Sequence, residues 1–492
     1  MPGEKCGLFG AKCFNDRCVF DLLYWGLISQ NHRGHESYGF LTYDKGFRRH
    51  VNAGLVPQIS GRRYSRWRNF LNGDVGIAHV RYGTSGERGL SKLDYAQPLI
   101  TSQGSEKIGF AFNGNVVNTY ELRNRLADRF RKDEAFCDAL LFSKYLVNSI
   151  NSNGLVSAIE DCMRNVEGAF SVLGLRNNGE LFAFRDPLGI RPLSIGESED
   201  GVIKAFSSET VGFNINGLGF AGDVKPGEAV VITKDDVKRE VLVKSERTAF
   251  CAFEYAYFAR PDSFLNGKYV YSVREEFGRN LGKRFKDIVE KADVILSMPE
   301  TAEDAAYGLH EETGLKWERI LRRHRYVTRR AFILEPDERV STVDKKINIM
   351  EGSLSGKRVI IVDDSIVRGD TTRTVVSKIR KAGAEKIYIF VTFPRITHPC
   401  FYGIDMATFN ELIGFGFDEE GIAKQIGADG VFYQPLEDYI RATGMSANEL
   451  CTACITGEYP TETAGKMAEA AKSLMKIEDQ RRIYERPELF RG

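Results

Sequence analysis

No stretch of this sequence approaches the length and apolarity of a membrane-spanning helix. Its first residues also lack the charged-then-apolar pattern of a secretory signal. Neither sign of charge is in excess, since 68 Lys and Arg residues stand against 67 Asp and Glu residues. A net charge of +1 gives no overall field that would favour nucleic acid or an anionic membrane. These absences predict a cytoplasmic protein with no nucleic-acid partner and no membrane attachment.

The chain has 492 residues, which is enough for two or three domains with large cores. Its hydrophobic fraction of 42% and charged fraction of 27% are ordinary for a soluble globular protein. Nine cysteines in such a protein predict thiols that act as ligands, nucleophiles or core residues. We expect the four that lie outside any motif to be core or partly exposed thiols: Cys13, Cys18, Cys137 and Cys162.

The segment from 359 to 372 carries the clearest chemical pattern of the chain. Four β-branched residues predict a buried parallel strand, and Asp363 and Asp364 follow directly. A helix over Thr372–Ala382 and a strand over Lys386–Phe393 would complete a βαβ unit, whose strand-to-helix turn is a ligand site in open α/β sheets. Helix N-termini bind phosphate, and paired carboxylates can accept hydrogen bonds from two vicinal hydroxyls. The pattern predicts a ribose 5-phosphate site; the alternative is a solvated acidic turn.

With its Arg-Gly-x-Thr-Thr continuation, this segment resembles the phosphoribosyl-pyrophosphate loop of type I phosphoribosyltransferases. Val362–Gly369 is similar, more narrowly, to the form found in the glutamine phosphoribosylpyrophosphate amidotransferase family, which catalyses the first committed step of de novo purine synthesis. The chain departs from that family at Asp370, where a Thr is usual. A carboxylate beside a bound phosphate is repulsive unless it points away or is neutralised. We therefore expect Asp370 to turn outward and to cap a helix that begins near Thr372.

The resemblance implies roles for individual residues of this second half. The ribose hydroxyls would be held by Asp363 and Asp364, and a magnesium ion by these two with Thr301. The 5-phosphate would be framed by Ser365, Arg368, Gly369 and Thr371. The basic stretch 322–330 and Lys346 resemble the family's flexible loop, with Lys346 contacting phosphoribosyl pyrophosphate. His324 replaces a usual Asn there, and one residue is apparently inserted after Val327.

Short polar motifs recur through the first half of the chain. They begin with Cys6-Gly-Leu-Phe-Gly and continue with Asn31–Ser37, Ala78–Gly86, a predicted tight turn at Asn113–Asn115 and Arg185–Leu193. Each is a weak signal alone. In this order and spacing they resemble the class II glutamine amidotransferase domain of the N-terminal-nucleophile type. The match spans roughly residues 6 to 232.

Hydrolysis of a carboxamide needs a nucleophile, a base and an oxyanion site. A cysteine with a free α-amine supplies the first two from one residue. Cys6 is internal in the encoded chain, and removal of Met1 would expose Pro2. The interpretation therefore requires cleavage of the Lys5–Cys6 bond, which makes residues 1–5 a short propeptide.

The same resemblance implies the remaining parts of the glutamine site. The Asn113 side chain and the Gly114 N–H would form the oxyanion hole. Arg81 would grip the glutamine α-carboxylate through paired hydrogen bonds, with Thr84 alongside, and Asp138 would hold the α-ammonium. An ordinary ion pair is the alternative interpretation of Arg81 and Asp138.

Four cysteines of the second half form a further pattern. Cys451 and Cys454 make a C-x-x-C pair, which by itself indicates a redox pair, half of a metal site, or nothing. Together with Cys251 and Cys400 they match the four thiolate ligands of family members that carry an iron–sulfur cluster. The resemblance therefore implies a [4Fe–4S] centre that ties the start of the second domain to its end.

These observations predict a chain of four parts. After the propeptide 1–5, residues 6–245 would form an α+β glutaminase sandwich of the αββα type. Residues 246–464 would form an α/β phosphoribosyltransferase domain with the cluster, joined to the first by a charged connection at Asp236–Glu246. Residues 465–492 would form a C-terminal helical tail.

The resemblance implies an enzyme that uses glutamine, water and phosphoribosyl pyrophosphate to make 5-phosphoribosylamine, glutamate and pyrophosphate, with ammonia passing between the sites. It also implies purine nucleotides as feedback inhibitors and a homo-oligomer, either a tetramer or a dimer. Asparagine synthetase and glucosamine-phosphate synthase share the glutaminase half, but the Asp363–Thr372 loop argues against both.

Two rival classes are non-enzymatic or only secondarily enzymatic. A non-catalytic regulatory paralogue is motivated by Asp370, by the altered stretch Arg325–Arg330, and by Phe112, which stands where the family usually has His. An oxygen-sensing iron–sulfur protein is the other.

Overall fold

The structure is a computed structural model that describes residues 6–15, 17–82, 93–126, 137–324, 347–350, 352 and 354–474. Within these ranges, no helix is both long and apolar enough to cross a membrane. Several predictions fall outside the described residues: the propeptide 1–5, Thr84, the altered stretch Arg325–Arg330, Lys346, and residues 475–492 of the tail.

The first half of the chain alternates strands with short helical layers. Its strands are β1 (Gly7–Cys13), β2 (Ser37–Tyr43), β3 (Phe47–Ala53), β4 (Val75–Arg81), β5 (Leu99–Gln103), β6 (Glu106–Val116), β7 (Gly168–Arg176), β8 (Leu181–Arg185), β9 (Ser194–Glu197), β10 (Ile203–Ser207), β11 (Gly219–Asp223), β12 (Glu228–Ile232) and β13 (Val237–Val241). Its helices are α1 (Phe20–Ile28), α2 (Gly61–Phe70), α3 (Thr119–Arg125), α4 (Asp138–Asn153), α5 (Leu155–Asn165) and α6 (Val211–Asn214).

These strands form two antiparallel sheets that pack face to face. One has the order β11-β9-β10-β1-β4-β2-β3 and the other β13-β12-β8-β7-β6-β5. Strand β1 is buried on both sides: Leu8 faces the core between the sheets, whereas Phe9 and Ala11 face the core under α1 and α2. Because successive side chains of a strand point to opposite faces, a strand between two layers needs apolar residues at both parities. The predicted αββα sandwich is therefore confirmed.

The second half continues the numbering. Its strands are β14 (Phe250–Cys251), β15 (Phe264–Leu265), β16 (Lys268–Tyr269), β17 (Val294–Ser297), β18 (Leu321–Arg323), β19 (Ile347–Ile349), β20 (Arg358–Asp363), β21 (Lys386–Val391), β22 (Gly430–Tyr433) and β23 (Leu450–Cys451). Its helices are α7 (Val270–Arg284), α8 (Lys286–Val289), α9 (Glu303–Thr313), α10 (Asp370–Lys381), α11 (Ile413–Gly416), α12 (Glu419–Ile426), α13 (Leu436–Thr443), α14 (Ala453–Thr456) and α15 (Glu462–Leu474).

A four-stranded parallel sheet organises this half, with the order β17-β20-β21-β22. Strand β20 lies inside the sheet, and its apolar residues from Val359 to Val362 are fully buried. Helix α10 connects β20 to β21, as the crossover of a βαβ unit requires. The carboxyl end of β20, where Asp363 lies, is therefore the edge at which a ligand site is expected. This confirms the predicted α/β architecture.

A third core joins the two halves. It contains Val117, Ala169 and Ile190 from the first half together with the apolar residues of 249–259 from the second. A π-helix at Glu254–Phe258 lies in this core, directly after β14. Helix α15 packs there as well, through Ala464, Met467 and Ala468. The predicted tail thus begins as a helix that belongs to the junction.

The structure corrects four predicted element bounds. The helix expected to begin near Thr372 begins at Asp370, and the strand expected to reach Phe393 ends at Val391. The predicted turn Asn113–Asn115 lies within β6, because pairing with β7 continues to Val116. Residues 237–241 of the predicted charged connection form β13, which pairs along its whole length with β12. The boundary at 245 and 246 stays a prediction.

Candidate active sites

Cys6 lies just before β1, in the first half. Its Sγ is 3.8 Å from the carbonyl oxygen of Tyr82, and its own carbonyl oxygen accepts a hydrogen bond of 3.1 Å from Nε of Arg33. Burial raises the pKa of the Cys6 thiol to about 11, although the positive charge of Arg81 acts in the opposite direction. At neutral pH this thiol is protonated, so a nucleophilic Cys6 needs a base.

The predicted oxyanion residues lie side by side in β6. The Asn113 amide nitrogen is buried and has no hydrogen-bond partner among the described residues. Gly114 adopts a φ of +156°, and a Cβ there would lie 1.7 Å from the carbonyl oxygen of Ala169. A buried donor without an acceptor is costly. The Asn113 amide is therefore suited to a ligand oxygen that carries negative charge.

Two side chains hold the residue before Asn113 in place. Nε2 of His79 lies 3.0 Å from the Phe112 carbonyl oxygen, and the Phe112 N–H donates to Oε1 of Gln97 at 2.8 Å. Burial lowers the pKa of His79 to about 3, so its imidazole is neutral. Phe112 itself is buried and stacks on Phe110. The departure at Phe112 therefore leaves the backbone that carries Asn113 anchored.

Arg81 and Asp138 lie beside the nucleophile. The Arg81 Nη1 donates to Oε2 of Glu36 at 2.5 Å. Asp138 is the first residue of α4, and its carboxylate accepts the N–H of Val116 at 3.2 Å. The charges of Arg81 and Asp138 act in opposite directions on the pKa of the Cys6 thiol. A cation and an anion next to the thiol suit the α-carboxylate and α-ammonium of an amino acid.

Asp363 and Asp364 end β20 as a buried pair. Asp363 accepts a hydrogen bond from the Thr372 hydroxyl at 3.1 Å, and Asp364 accepts bonds from Thr301 at 2.5 Å and Ser365 at 2.7 Å. Burial raises the pKa of Asp363 to about 8, and the charge of Asp364 adds to that shift. Burial raises the pKa of Asp364 as well. Two neighbouring buried carboxylates call for hydroxyl donors or a cation.

The predicted phosphate-binding turn leads directly into α10. Gly369 precedes the helix in the left-handed region, with a φ of +82°, and a Cβ there would lie 3.0 Å from Ile413. Thr371 lies in the first turn of α10. The Arg368 guanidinium donates to Glu411 and, at 3.5 Å, to the carbonyl oxygen of Asp405. The N-terminal N–H groups of α10 are thus at the edge where the carboxylates lie.

Asp370 turns away from this site, as predicted. Its side chain is 43% exposed and forms an ion pair of 3.2 Å with Arg373 on the next turn. Its predicted capping role is wrong, because the helix begins at Asp370 itself and Gly369 occupies the N-cap position. The like-charge contact with a phosphate that Asp370 could have caused does not arise from this conformation.

The structure adds residues between the two sites that sequence reasoning missed. The Tyr82 hydroxyl donates to Oδ2 of Asp405 at 3.3 Å, which joins the strand beside Cys6 to the loop that receives Arg368. Tyr257, in the π-helix, lies close to both sites: burial raises its pKa, and the charges of Asp364 and Tyr82 add to the shift. The segment around Tyr257 resembles the family, but an aromatic residue there has no chemical signature of its own.

The four cysteines predicted to bind a cluster lie near one another, in and against the junction core. Cys251 and Cys451 face each other as partners in the parallel pair of β14 and β23. Burial raises the pKa of all four thiols, and the charge of Cys400 adds to the shifts of Cys451 and Cys454. In the described parts of the chain, no three His, Cys, Asp or Glu side chains are close enough to share one metal ion.

Two kinds of metal centre bind four thiolates in proteins. A tetrahedral zinc with Zn–S bonds of about 2.3 Å needs its sulfurs only about 3.8 Å apart. A [4Fe–4S] cluster binds each thiolate through a different iron and spreads them more widely. Arg191 is fully buried beside these thiols, and its Nε and Nη1 have no hydrogen-bond partner among the described residues. Its Nη1 lies 3.6 Å from a carboxylate oxygen of Glu254, and its positive charge also acts to lower the pKa of the Cys251 thiol.

Comparison with known proteins matches residues 91–214 to a glutamine amidotransferase domain. The amidophosphoribosyltransferase of Methanocaldococcus jannaschii is 36% identical over 93% of this chain and 98% of its own length. The chain belongs to the amidophosphoribosyltransferase family. The enzyme of that name from Bacillus subtilis is 34% identical over 93% of this chain and 94% of its own length.

The similarity to solved structures covers both halves of the chain, not only the first domain. The glutamine phosphoribosylpyrophosphate amidotransferase of B. subtilis, complexed with ADP and GMP, superposes with a TM-score of 0.82 and 32% identity. It covers 93% of this chain and 98% of its own. A structure described as the allosteric regulatory enzyme of purine biosynthesis gives the same TM-score at 33% identity. The predicted pairing of a glutaminase domain with a phosphoribosyltransferase domain is confirmed.

Proposed function

We propose that this member of the amidophosphoribosyltransferase family is a working enzyme with two reaction sites on one chain. Glutamine is hydrolysed in the first half, and the ammonia is added to C1 of phosphoribosyl pyrophosphate in the second. The products are 5-phosphoribosylamine, glutamate and pyrophosphate. The observation that carries the proposal is that Tyr82 connects the two sites: its carbonyl oxygen is 3.8 Å from the Cys6 Sγ, and its hydroxyl donates at 3.3 Å to Asp405, whose carbonyl oxygen accepts from Arg368. The outward turn of Asp370 removes the main reason to expect an inactive regulatory paralogue.

The glutaminase step uses Cys6 as nucleophile. After cleavage of Lys5–Cys6, the free α-amine accepts the thiol proton, and the sulfur attacks the carboxamide carbon of glutamine. The negative charge on the carbonyl oxygen is accepted by the Asn113 amide and the Gly114 N–H. The α-ammonium of Cys6 then gives this proton to the leaving nitrogen, so that breaking the C–N bond releases ammonia and leaves a thioester, which water hydrolyses to glutamate. Arg81 and Asp138 orient the amino-acid end, together with Thr84.

The transferase step uses binding and orientation. Asp363 and Asp364 accept hydrogen bonds from the ribose hydroxyls. The 5-phosphate lies on the turn formed by Ser365, Arg368, Gly369 and Thr371 at the start of α10, and the family resemblance assigns Lys346 a contact with the substrate. Ammonia attacks C1 and pyrophosphate leaves with inversion of the anomeric centre. Passage across the junction keeps ammonia from water, where protonation would end its nucleophilicity.

Two inorganic groups belong to this proposal. Thr301, Asp363 and Asp364 would hold magnesium, which when bound neutralises charge near the leaving pyrophosphate. Cys251, Cys400, Cys451 and Cys454 would hold a [4Fe–4S] cluster, whose contribution here is to tie the two ends of the second half together. Support for the cluster comes from the proximity of the four thiols, with Cys251 and Cys451 as strand partners and all three other thiols acting on the pKa of Cys454. The buried carboxylate pair supports the cation.

The proposal extends to regulation and assembly. A related enzyme has been solved with ADP and GMP, so we infer purine nucleotides as feedback inhibitors of this chain. We also infer a homo-oligomer, either a tetramer or a dimer. Sedimentation of the purified protein with and without purine nucleotides measures the assembly and its dependence on these ligands.

The decisive test is pyrophosphate release from phosphoribosyl pyrophosphate by anaerobically purified protein, with glutamine or ammonia as donor. Wild-type protein should use both. Cys6→Ala should lose glutamine-dependent release and keep ammonia-dependent release, because the second site does not need the thiol. Cys18→Ala removes a half-buried thiol elsewhere in the first half and should behave as wild type. Release with neither donor from wild-type protein would contradict the proposal.

A further inference from the structure

Arg33 is a buried charged side chain at the junction. Its side chain is 1% exposed. Nε donates to the carbonyl oxygen of Cys6 at 3.1 Å, and Nη1 donates to Glu209 at 2.5 Å. Arg33 therefore touches the backbone of the nucleophile itself.

The third partner of Arg33 comes from the other half of the chain. Glu254 accepts from Nη1 at 3.1 Å and from Nη2 at 3.0 Å, in a two-bond fork. Both carboxylates are 0% exposed. Glu254 is the first residue of the π-helix Glu254–Phe258, three residues after Cys251. Short π-helical turns are frequently found at functional sites.

The charges of this group are balanced but costly. Burial would lower the pKa of Arg33, but Glu254 and Glu209 hold it above its ordinary value. Arg191 adds a second buried cation, 3.6 Å from Glu254. Loss of one member of such a set leaves an uncompensated charge in the interior, while a forked Arg–carboxylate pair fixes both position and direction. The geometry of Arg33 is therefore set by Glu254 as much as by its own domain.

We propose that Glu254 is a positioning residue of the glutaminase site, acting from the phosphoribosyltransferase half through Arg33 on the backbone of Cys6. This rests on the proposed function of Cys6 as nucleophile. Arg33 keeps the Cys6 carbonyl in one place, and so fixes the direction of the α-amine and the thiol on the same residue. The nucleophile is correctly aimed only when the two halves are docked.

The proposal predicts a selective kinetic effect. Glu254→Gln keeps the shape and one acceptor for Arg33 but removes the charge, whereas Glu254→Ala removes the fork. Glutamine-dependent kcat should fall about 10-fold in the first variant and about 100-fold in the second, because small misplacement of a reacting group has effects of this size. The KM for glutamine should change little, since neither variant touches Arg81 or Asp138. Ammonia-dependent synthesis should stay within about twofold of wild type.

A matched control exists at another contact between the halves. The Thr463 N–H donates to Oε2 of Glu167 at 3.1 Å, away from Cys6. Glu167→Gln should leave both activities unchanged. A second readout is the rate at which iodoacetamide alkylates Cys6, followed as a function of pH by mass spectrometry of the Cys6 peptide. This rate should fall, and its pH profile should shift, in both Glu254 variants and in Arg33→Lys.

Three outcomes would overturn the inference. Unchanged glutamine-dependent kcat in Glu254→Ala is one, and equal loss of both activities in Glu254→Gln and Arg33→Lys is another, because it would indicate a purely structural role. The third is an unchanged alkylation profile. If wild-type protein makes product from neither donor, the proposed function fails separately, and the alkylation rates alone then decide on Glu254.

Discussion

Folding destabilises the ionised form of the Asp363 carboxylate. Its pKa is raised to about 8 by burial and by Asp364, whereas an unfolded Asp has a pKa near 4. Between these values the unfolded chain releases a proton that the folded chain keeps, so the free energy of unfolding falls as pH rises from about 4 to about 8. Ligands that donate hydrogen bonds or positive charge here recover this loss. On the proposed function, phosphoribosyl pyrophosphate and magnesium would therefore stabilise the folded protein when bound.

Replacing that carboxylate tests the argument. Asp363→Asn keeps both hydrogen-bonding positions and removes the charge, so without magnesium or substrate the melting temperature at pH 8 should rise by about 2 °C or more. At pH 4 the difference should vanish. Ammonia-dependent activity should be lost. Differential scanning calorimetry across pH measures the first effect, with the exposed Asp370→Asn as control; a lower melting temperature for Asp363→Asn at pH 8 would contradict the argument.

Asp370 tests whether the departure from the family's pattern matters. Its side chain points to solvent and pairs with Arg373, and exposed pairs of this spacing contribute about 0.3–0.5 kcal/mol. Asp370→Thr should therefore change the apparent affinity for phosphoribosyl pyrophosphate by less than about threefold and lower stability by no more than about 0.5 kcal/mol. Steady-state kinetics with ammonia as donor measure this. A large gain of activity in the variant would instead identify the wild type as a regulatory paralogue.

The chemistry of the Cys6 thiol leads to a prediction about cleavage of the Lys5–Cys6 bond. The Cys6 thiol has a pKa of about 11 because it is buried, and a thiol of this kind needs the adjacent free α-amine as base. Active protein should therefore begin at Cys6, which intact-mass analysis measures. Fully active protein that retains residues 2–5 would rule out this mechanism.

At the level of single residues, sequence alone predicts groups whose chemistry is local. Cys6, Asn113 and the Asp363–Asp364 pair stand in short motifs; Asn113 and the two aspartates are buried in the structure, and Cys6 is partly buried. Arg33 lies in the motif Asn31–Ser37, but the sequence assigns it no role, because its partner Glu254 is 221 residues away. Contacts of this range depend on how the halves dock, and no local pattern encodes them.

At the scale of secondary-structure elements, β14 and β23 form a separate two-stranded parallel sheet that carries two of the cysteines predicted to bind a cluster. Each strand has two residues, and their register places Cys251 opposite Cys451. Two residues of ladder contribute few hydrogen bonds, so this pair needs further support, which a bound cluster would supply. On the proposed function, the two short strands and the cluster would together join the start of the second half to its end.

Substitution of a cluster cysteine tests this element. Anaerobically purified wild-type protein should contain about four irons per chain, because four cysteines would bind one [4Fe–4S] cluster. Cys454→Ser should lower both the iron content and the soluble yield, since a cluster that joins distant segments contributes to folding. Cys18→Ser should change neither. Iron analysis and the visible absorption spectrum measure the result, and a colourless wild-type protein with one zinc per chain would contradict it.

The types of the predicted elements are right where periodicity is strong, and their ends are less accurate. The buried strand before Asp363 and the amphipathic helix after it follow directly from the order of apolar residues. The helix begins two residues earlier than expected because Gly369, in a left-handed conformation, ends the turn before Asp370. Asn113–Asn115 continues β6 because β7 pairs with it. Both differences come from tertiary context that local propensity does not contain.

For the whole molecule, the junction core decides whether the halves behave as one unit. It contains residues from both halves and from α15, which follows the last predicted ligand Cys454 by eight residues. Two catalytic domains with their own cores could unfold separately. A shared apolar core, with the fork between Arg33 and Glu254 inside the same junction, instead favours a common transition.

Met467 provides the test, since it is fully buried in the junction core although it lies on the C-terminal helix. Met467→Ala should lower the free energy of unfolding by about 2–5 kcal/mol, the usual range for a buried Met. Because this core belongs to both halves, the temperatures that inactivate glutamine hydrolysis and ammonia-dependent synthesis should fall together. Lys466→Ala changes the exposed neighbour and should leave both temperatures unchanged. Loss of only one activity on heating Met467→Ala would mean that the halves unfold independently, so that the nucleophile could not depend on docking through Glu254.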